Sequence, residues 1–464
     1  MVWHQGISIS ELDKDIDLSV PPASSVVTYG TPLVSMAIPL FALRHEPIRT
    51  IYLLYELWFT IFFRLPYWCV KYIPRTNRPR VSWPYLRCIL VELVRMVNFV
   101  GPLASRVGPI FKQPDHGAIP VQKNEKRNVK AVWVDPVPEL VLGDVKRWAD
   151  RGGVKSIPIP GYWYDKPGYD VSPKELPSTG EKVLYMIHGG AFIGLSAHPS
   201  YTCGPMYRKL VSSHSSIRRG FAVEYRLTSG PPLERECTNP FPAALIDVVA
   251  GYTYLVDVVG FAPEDIIVEG DAAGGNLAVA LVRYLVETRT DKNHLPAPPG
   301  GLILLSPWVD LGDSHDSPGA SHHVCTESDY LPAYFDPIMT WARKNYCALA
   351  GYPEAPNTNR YISPACIDHE MEPVSFKGFP KTLLVYGDAE ILHDQVVTLK
   401  DKMVDDLGGE WVQHHAIKDG VVNMMVMSFF HEESAEAFAA ISRWLETVLS
   451  DAARPWKPMA VKRG

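Results

Sequence analysis

One short segment has the glycine spacing of a catalytic turn but lacks the group that would do the chemistry. Residues 270–274 read Gly-Asp-Ala-Ala-Gly and directly follow an apolar run. In the pattern G-x-S-x-G, a tight turn between a strand and a helix exposes a serine hydroxyl that can attack a carbonyl carbon. Position 272 is alanine, which has no hydroxyl, so the expected nucleophile is missing.

A second glycine turn could stabilise negative charge on an oxygen atom. His188, Gly189 and Gly190 follow the apolar run 182–187. Two glycines let the backbone turn sharply and point peptide N–H groups at one oxygen, which is how an oxyanion hole works. We predict that Gly189, Gly190 and Ala273 supply these donors, Ala273 at a helix N-terminus where negative charge is favoured. The Asp271 side chain could reach the same pocket.

Four further segments carry a resemblance to a known family. They are Glu-Tyr-Arg-Leu at 224–227, Pro-Phe-Pro-Ala-Ala at 240–244, Leu-Ser-Pro-Trp-Val-Asp-Leu at 305–311 and Ile-Ser-Pro at 362–364. With the two glycine turns, they make the chain resemble α/β-hydrolases of the hormone-sensitive-lipase-like family, including fungal esterases of the steryl acetyl hydrolase type. The resemblance covers roughly residues 130–450. It implies the α/β-hydrolase fold, and it implies a catalytic unit of serine, acid and histidine.

By this resemblance, the positions of the serine nucleophile and the histidine base hold residues that cannot perform those roles. The family acid corresponds to Glu390, which keeps a carboxyl group. The family histidine follows a glycine by three residues, and here Gly420 is followed at that spacing by Asn423. An amide cannot take up a proton at neutral pH, so the base is lost at Asn423 as the nucleophile is lost at Ala272. Loss of either group from such a unit costs about a millionfold in turnover.

The elements that must position these residues follow from the apolar pattern. Five apolar runs of strand length are separated by helix-length segments, which predicts buried parallel strands in a βαβ array. These runs are 182–187, 220–225, 265–269, 301–305 and 381–386. We therefore expect an α/β class protein with a mostly parallel central sheet, helices on both faces and a helical cap. The hydrolase domain is placed at 131–450, with a cap insertion at about 310–361 and a C-terminal tail at 451–464.

Residues 1–130 are predicted to form a helical region whose middle is strongly apolar. The segment 51–73 is long and aromatic enough to be a membrane candidate, but Glu56, Arg64 and Lys71 argue against a full span. Its Tyr and Trp residues and the cations after it fit an element at a membrane surface. A cap helix, an interfacial helix and a span all remain open. Residues 1–17 are polar and do not form a signal peptide.

Composition excludes several classes of function. The net charge of −6 comes without a basic stripe, so we expect no nucleic-acid partner. Seven cysteines show no metal-binding C-x-x-C pair, and no N-x-[ST] acceptor occurs. We expect no metal and no cofactor. A reducing, intracellular location is favoured, either cytoplasmic or associated with an internal membrane.

A few other residues could replace the missing pair or contact a ligand. His414, His415 and His431 lie near Asn423, and Ser196 follows the first glycine turn; structural roles are favoured for all of them. His322 and His323 in the cap insertion are candidates for contacting substrate, with a solvated loop as the alternative.

The favoured function at this point is a non-hydrolytic condensation or cyclisation catalyst. By resemblance to degenerate α/β-hydrolases, the substrate would be a carbonyl-containing, lipophilic or polyketide-like intermediate of specialised-metabolite biosynthesis. The oxyanion donors would polarise its carbonyl group and the pocket would orient it. The alternatives are an ester hydrolase with an unrecognised nucleophile and a binding protein for lipophilic ligands without turnover.

Overall fold

A single eight-stranded sheet forms the centre of the molecule. The computed structural model describes residues 45–104, 129–231, 236–331 and 336–451. The strands lie in the order β1-β2-β4-β3-β5-β6-β7-β8. Strands β1 and β2 pair antiparallel, as do β2 and β4, and the other neighbours are parallel. The strands are β1 Val129–Val134, β2 Ile159–Asp165, β3 Lys182–Ile187, β4 Ile217–Val223, β5 Ile266–Asp271, β6 Gly301–Leu305, β7 Lys381–Gly387 and β8 Val412–Ile417.

Helices cover both faces of this sheet and form a cap above one end. A π-helical turn at Thr60–Arg64 joins the first two helices, so residues 48–71 are continuously helical. The helices are α1 Ile48–Phe59, α2 Leu65–Lys71, α3 Tyr85–Ala104, α4 Gly143–Gly152, α5 Cys203–Val211, α6 Ala243–Thr253, α7 Ala273–Thr288, α8 Ser321–Val324, α9 Pro337–Tyr346, α10 Ala355–Thr358, α11 His393–Leu407 and α12 His431–Asp451.

Two apolar layers hold the helices to the sheet. The alternation of side chains along β5 puts Ile266 and Val268 into one layer and Ile267 into the other. Helices α6 and α7 pack in the first layer, and α5 and α12 pack in the second. Because the parallel strands are buried on both faces, their sequences are continuously apolar, which is why they could be predicted.

The five predicted strands are confirmed, and together with the helices they establish the α/β-hydrolase fold. Three strands were missed. β2 contains Pro160, Gly161 and Asp165, which are typical of turns, and the edge strand β8 exposes polar side chains. The first strand, β1, begins at Val129, two residues before the predicted start of the hydrolase domain.

The cap has two parts, one N-terminal and one inserted after β6. α1 and α3 pack against each other, and α8, α9 and α10 lie within the predicted insertion at 310–361. Within the described ranges, no helix is long and apolar enough to cross a membrane. Residues 1–44 and 452–464, and most of the polar run before β1, lie outside the described residues.

Candidate active site

Ala272 occupies the tip of a tight turn between β5 and α7. Its backbone has φ 47° and ψ −112°, a conformation that non-glycine residues rarely adopt. Close packing explains the flanking glycines, since a Cβ on Gly270 would overlap the carbonyl of Gly274, and one on Gly274 would overlap the carbonyl of Ile187. Strained backbone of this kind typically costs about 1–3 kcal/mol and clusters at active sites. The turn therefore has the geometry of a nucleophile elbow without the nucleophile.

The loop after β3 lies directly over this turn. A Cβ on Gly189 would come within 2.5 Å of Asp271 Oδ2, and Gly190 has φ 107°, so both positions require glycine. His188 is fully buried, its ring stacks on Tyr225 at a centroid distance of 4.1 Å, and its Nδ1 donates to the Gly189 carbonyl 2.8 Å away. Burial lowers the pKa of His188 to about 4, so this imidazole is neutral and shapes the loop.

A mostly apolar cavity of about 210 Å³ opens in front of the turn. Gly190, Asp271, Ala272 and Asn423 all line it, and His188, Gly189 and Ala273 are the neighbours in sequence of these lining residues. Ala273 is the first residue of α7, where N–H groups have no partner within the helix. The other lining residues are Asn98, Ala191, Ile193, Leu195, Thr202, Cys203, Trp308, Tyr330, Leu331, Ile338, Met339, Leu392, Val422, Val426 and Met427.

Asn423 binds Asp271 and does not point toward Glu390. Its backbone is left-handed, with φ 43° and ψ 48°, and its Nδ2 donates to Asp271 Oδ2 at 2.7 Å. Burial raises the pKa of Asp271 to about 7, while the Gly189 N–H and the Asn423 amide favour the ionised form. Among the described residues, Asp271 Oδ1 has no hydrogen-bond partner. The cavity thus contains a carboxyl group that can gain or lose a proton near neutral pH.

Glu390 is buried at the predicted acid position but is held by other groups. Its Oε2 accepts from Ser306 Oγ at 2.7 Å and from the Gly387 N–H at 2.9 Å. Ser306 Oγ also accepts from the Asn423 backbone N–H at 3.2 Å, so the link to position 423 is indirect. Burial raises the pKa of Glu390 to about 8. Of the histidines in the described part of the chain, none hydrogen-bonds to this carboxyl group.

The other candidate residues from the sequence are occupied elsewhere. Ser196 Oγ donates to Glu224 Oε2 at 2.7 Å. The lining of the cavity includes neither Ser196 nor any of the histidines His414, His415 and His431. His414 Nδ1 is 3.3 Å from the Tyr386 hydroxyl, His415 Nε2 is 2.8 Å from Glu436 Oε1, and the His431 side chain is 74% exposed.

The two cap histidines converge on one carboxylate outside the cavity. The Nε2 atoms of His322 and His323 lie 3.1 and 2.6 Å from Asp316 Oδ1. Each of these three side chains offers one atom that could bind a metal ion, and the three atoms lie within 4.8 Å of one another. Within the described ranges, this is the cluster of His, Cys, Asp or Glu side chains that is close enough to hold a metal ion. They do not line the cavity in front of Ala272.

Several residues of the site were not identified from the sequence. Glu269, two residues before Asp271 on β5, is fully buried, and neither of its carboxyl oxygens has a partner among the described residues. Burial and the neighbouring Asp271 charge raise the pKa of Glu269 well above its ordinary value. A glutamate inside an otherwise apolar run was a visible signal. Asn98 and Tyr330 gave none, because only tertiary packing brings them to the cavity.

Comparison with known proteins agrees with this geometry. The sequence profile of a family described as "alpha/beta hydrolase fold" matches residues 184–421, just over half of the chain. The chain belongs to this family. The match begins within β3 and ends shortly before Asn423, so it contains both glycine turns and Glu390.

Relatives of this α/β hydrolase are named as ester-cleaving enzymes. The acetyl-hydrolase of Streptomyces hygroscopicus is 32% identical over 223 residues, which are 48% of this chain and 61% of that protein. Esterase LipU of Mycobacterium tuberculosis is 28% identical over 226 residues, 47% of this chain and 63% of that protein. Steryl acetyl hydrolase 1 of Saccharomyces cerevisiae is 24% identical over 146 residues, 32% of this chain and 31% of that protein. The matches therefore cover less than two thirds of each relative.

Solved structures share the fold. EstE5, in a crystal soaked with p-nitrophenyl butyrate, superposes with a TM-score of 0.51 at 21% identity and covers 79% of this chain and 99% of its own. An esterase from the bacterial hormone-sensitive lipase family gives the same score and coverage at 18% identity. The expected family and fold are thereby confirmed.

Proposed function

We propose that this α/β hydrolase cleaves lipophilic carboxylic esters, with a water molecule in the place of the serine hydroxyl as nucleophile. The observation that carries the proposal is Asp271, a buried carboxyl group that lines an apolar cavity beside Ala272 and the oxyanion loop and whose Oδ1 has no hydrogen-bond partner among the described residues. A general base works best when its pKa is near the operating pH, and burial raises the pKa of Asp271 to about 7. The names of the relatives support an ester as the substrate.

The reaction needs no group beyond these residues and water. The ester carbonyl oxygen lies against the N–H groups of Gly190 and Ala273. Asp271 Oδ1 takes a proton from water as the water oxygen bonds to the carbonyl carbon, and the carbonyl π electrons move onto the oxygen facing those donors. Collapse re-forms the C=O bond and breaks the bond to the alcohol oxygen, which takes the proton back from Asp271. Acid and alcohol leave, and the carboxylate is restored.

Hydrolysis of p-nitrophenyl butyrate and decanoate by the purified chain tests this mechanism. We expect the rate above buffer to rise with pH through about 7 and then level off, since Asp271 must be ionised. Asp271→Asn keeps the acceptor for Asn423 but cannot take a proton, and it should lower the rate by about 10²–10⁴. Asp405→Asn, at an exposed carboxylate, is the matched control and should leave the rate unchanged.

Two outcomes would contradict the proposal. One is an Asp271→Asn variant as fast as the unaltered chain. The other is covalent labelling of the unaltered chain by a fluorophosphonate, because a water nucleophile leaves no group to be phosphonylated.

A second candidate is lipophilic-ligand binding without turnover. It is favoured by the Asn423 amide, which blocks one oxygen of Asp271 and cannot serve as a base. Saturable binding of a fluorescent fatty ester, with no hydrolysis above buffer, would select this candidate. Condensation or cyclisation of a carbonyl-containing intermediate, as expected from the sequence, would use the same donors. The ester-cleaving relatives give it less support than they give hydrolysis.

A further inference from the structure

The helical segment at residues 48–71 turns its apolar side chains outward. Apart from Thr50, every exposed position in this segment carries an apolar or aromatic side chain or proline. The middle of the segment shows this most clearly, with side chains that are each between 48% and 62% exposed: Leu54, Leu57, Trp58, Ile61, Phe62 and Phe63. On a monomer surface in water, an apolar area of this kind marks an interaction site.

Each charged side chain of the same segment is held in an ion pair, and the acidic one, Glu56, is buried. Glu56 is 8% exposed and pairs with Arg64, and the neighbouring Thr60 is 5% exposed with its hydroxyl 2.9 Å from Met96 Sδ on α3. Lys71 Nζ lies 3.4 Å from Glu327 Oε1. A helix at a water-facing surface has the opposite arrangement, with apolar residues inward and charges outward. Charges toward the protein and apolar groups outward are the arrangement of helices in lipid.

The width of this outer face distinguishes lipid from a protein groove. Within α1, at about 100° per residue, the exposed apolar positions spread over roughly 180° of the helix circumference, and the exposed side chains of the π-helical turn continue this face. An amphipathic helix on the surface of a globular protein needs an apolar stripe of only about 100°, and that stripe faces the core. A fluid apolar medium can cover the wider face. Beyond the helix, exposed Ile73 continues the apolar surface and exposed Arg75 provides a cation at its edge, where lipid headgroups would lie.

The outer face is one helix away from the cavity. Helix α3 packs against α1, and its residue Asn98 lines the cavity, with Nδ2 donating to the Tyr330 carbonyl at 3.2 Å. The same helix exposes Leu86 and Val97 on its outer side, 62% and 58% exposed. The N-terminal part of the cap therefore connects an apolar surface to an apolar binding site.

We propose that residues 48–73 are a membrane-docking element that lies flat in the lipid–water interface, and that the cavity takes its ligand from the lipid. The inward ion pair of Glu56 and Arg64 sits at mid-helix, which fits an interfacial position better than a span. The proposal does not depend on whether the bound ligand is hydrolysed.

Flotation of the full chain with vesicles tests the proposal. We expect the chain to float with vesicles of phosphatidylcholine, alone or mixed with phosphatidylserine. Trp58→Glu with Phe62→Glu should weaken partitioning by about 100-fold, because two aromatic side chains no longer enter lipid. Val258→Glu is the matched control, since Val258 is 68% exposed on another part of the molecule, and it should float like the unaltered chain.

Three outcomes would overturn the proposal. The unaltered chain stays in the aqueous fraction with both kinds of vesicle, or the double variant floats as well as the unaltered chain. In the third, light scattering shows a dimer that the double substitution separates and that does not bind vesicles, which means that a second copy covers the face. Circular dichroism of each variant verifies that the substitutions leave the fold intact.

Discussion

Restoring the two lost side chains together should create a serine esterase. Ala272→Ser adds only a hydroxyl to a Cβ that is already at the tip of the turn. Asn423→His places an imidazole on a left-handed residue, a conformation that histidine tolerates better than most side chains. The longer side chain can extend past Asp271 toward Glu390, which is linked to position 423 through Ser306. Neither substitution alone supplies both a nucleophile and a base.

The expected gain follows from how much each group contributes in a complete unit. Removing serine or histidine costs about 2 × 10⁶ in turnover, and removing the acid alone costs about 3 × 10⁴. If Glu390 leaves Ser306 and pairs with the new imidazole, the gain approaches about 10⁶. If Ser306 and Gly387 keep it, the gain is about 10², the ratio of those two numbers. An imidazolium beside Glu390 also favours ionisation, which counteracts the burial that now raises the pKa of Glu390 to about 8.

Two assays measure this gain separately from any reaction of water at Asp271: burst kinetics with p-nitrophenyl butyrate, and labelling by a fluorophosphonate. Both report a covalent intermediate, which a water nucleophile does not form. The double variant should label covalently and the two single variants should not. Adding Glu390→Gln to the double variant should remove most of the gain above about 10². A folded double variant that neither labels nor exceeds the single variants would refute the assignment of positions 272 and 423 to the nucleophile and base.

Two further predictions concern stability. The native Glu390 carboxyl, with its pKa raised by burial from 4.5 to about 8, binds its proton more tightly than in the unfolded chain, so its contribution to stability is lost as pH rises through that window. Between pH 5 and pH 8 in urea unfolding, the free energy of unfolding of Glu390→Gln should therefore rise by about 3–4 kcal/mol relative to that of the unaltered chain, whereas the exposed control Glu410→Gln should show no such trend. Gly189→Ala should destabilise the fold by about 1–3 kcal/mol, because its Cβ would lie 2.5 Å from Asp271 Oδ2. The control Gly409→Ala meets nothing within 4 Å and should be neutral. Equal melting temperatures for the two variants would be inconsistent with the packing of the oxyanion loop over the turn.

Much of the frame of the site could be predicted from the sequence because backbone contacts dictate residue type. Gly270 and Gly274 are required by the close approach of neighbouring carbonyls, so their spacing located the turn and Ala272 at its tip. Buried parallel strands are continuously apolar, and this located β3 and β5. The pattern failed at β8, whose polar residues on an edge strand resemble a loop.

Side-chain pairing within the site could not be predicted. The sequence placed Asn423 and Glu390 in the base and acid positions but did not indicate which groups their side chains bind. The structure has the Asn423 amide on Asp271 and the Glu390 carboxyl on Ser306. Which acceptor an amide binds depends on the tertiary positions of both groups, and no residue pattern records them. The same holds for Asn98, which reaches the cavity from about three hundred residues before Asn423.

The absence of a histidine from the described lining of the cavity also affects the electrostatics of the acidic groups there. Three buried carboxyl groups, those of Glu269, Asp271 and Glu390, lie in or next to a cavity whose described lining contains no Lys, Arg or His. Without a cation, burial disfavours their ionised forms, and the pKa of each is raised for that reason. Below about pH 7 the site is consequently close to neutral and suits an apolar ligand. Above that pH Asp271 ionises first, at the one place where oxyanion donors and bound substrate would meet. A buried acid without a cationic partner is thereby also the group best placed to take a proton from water.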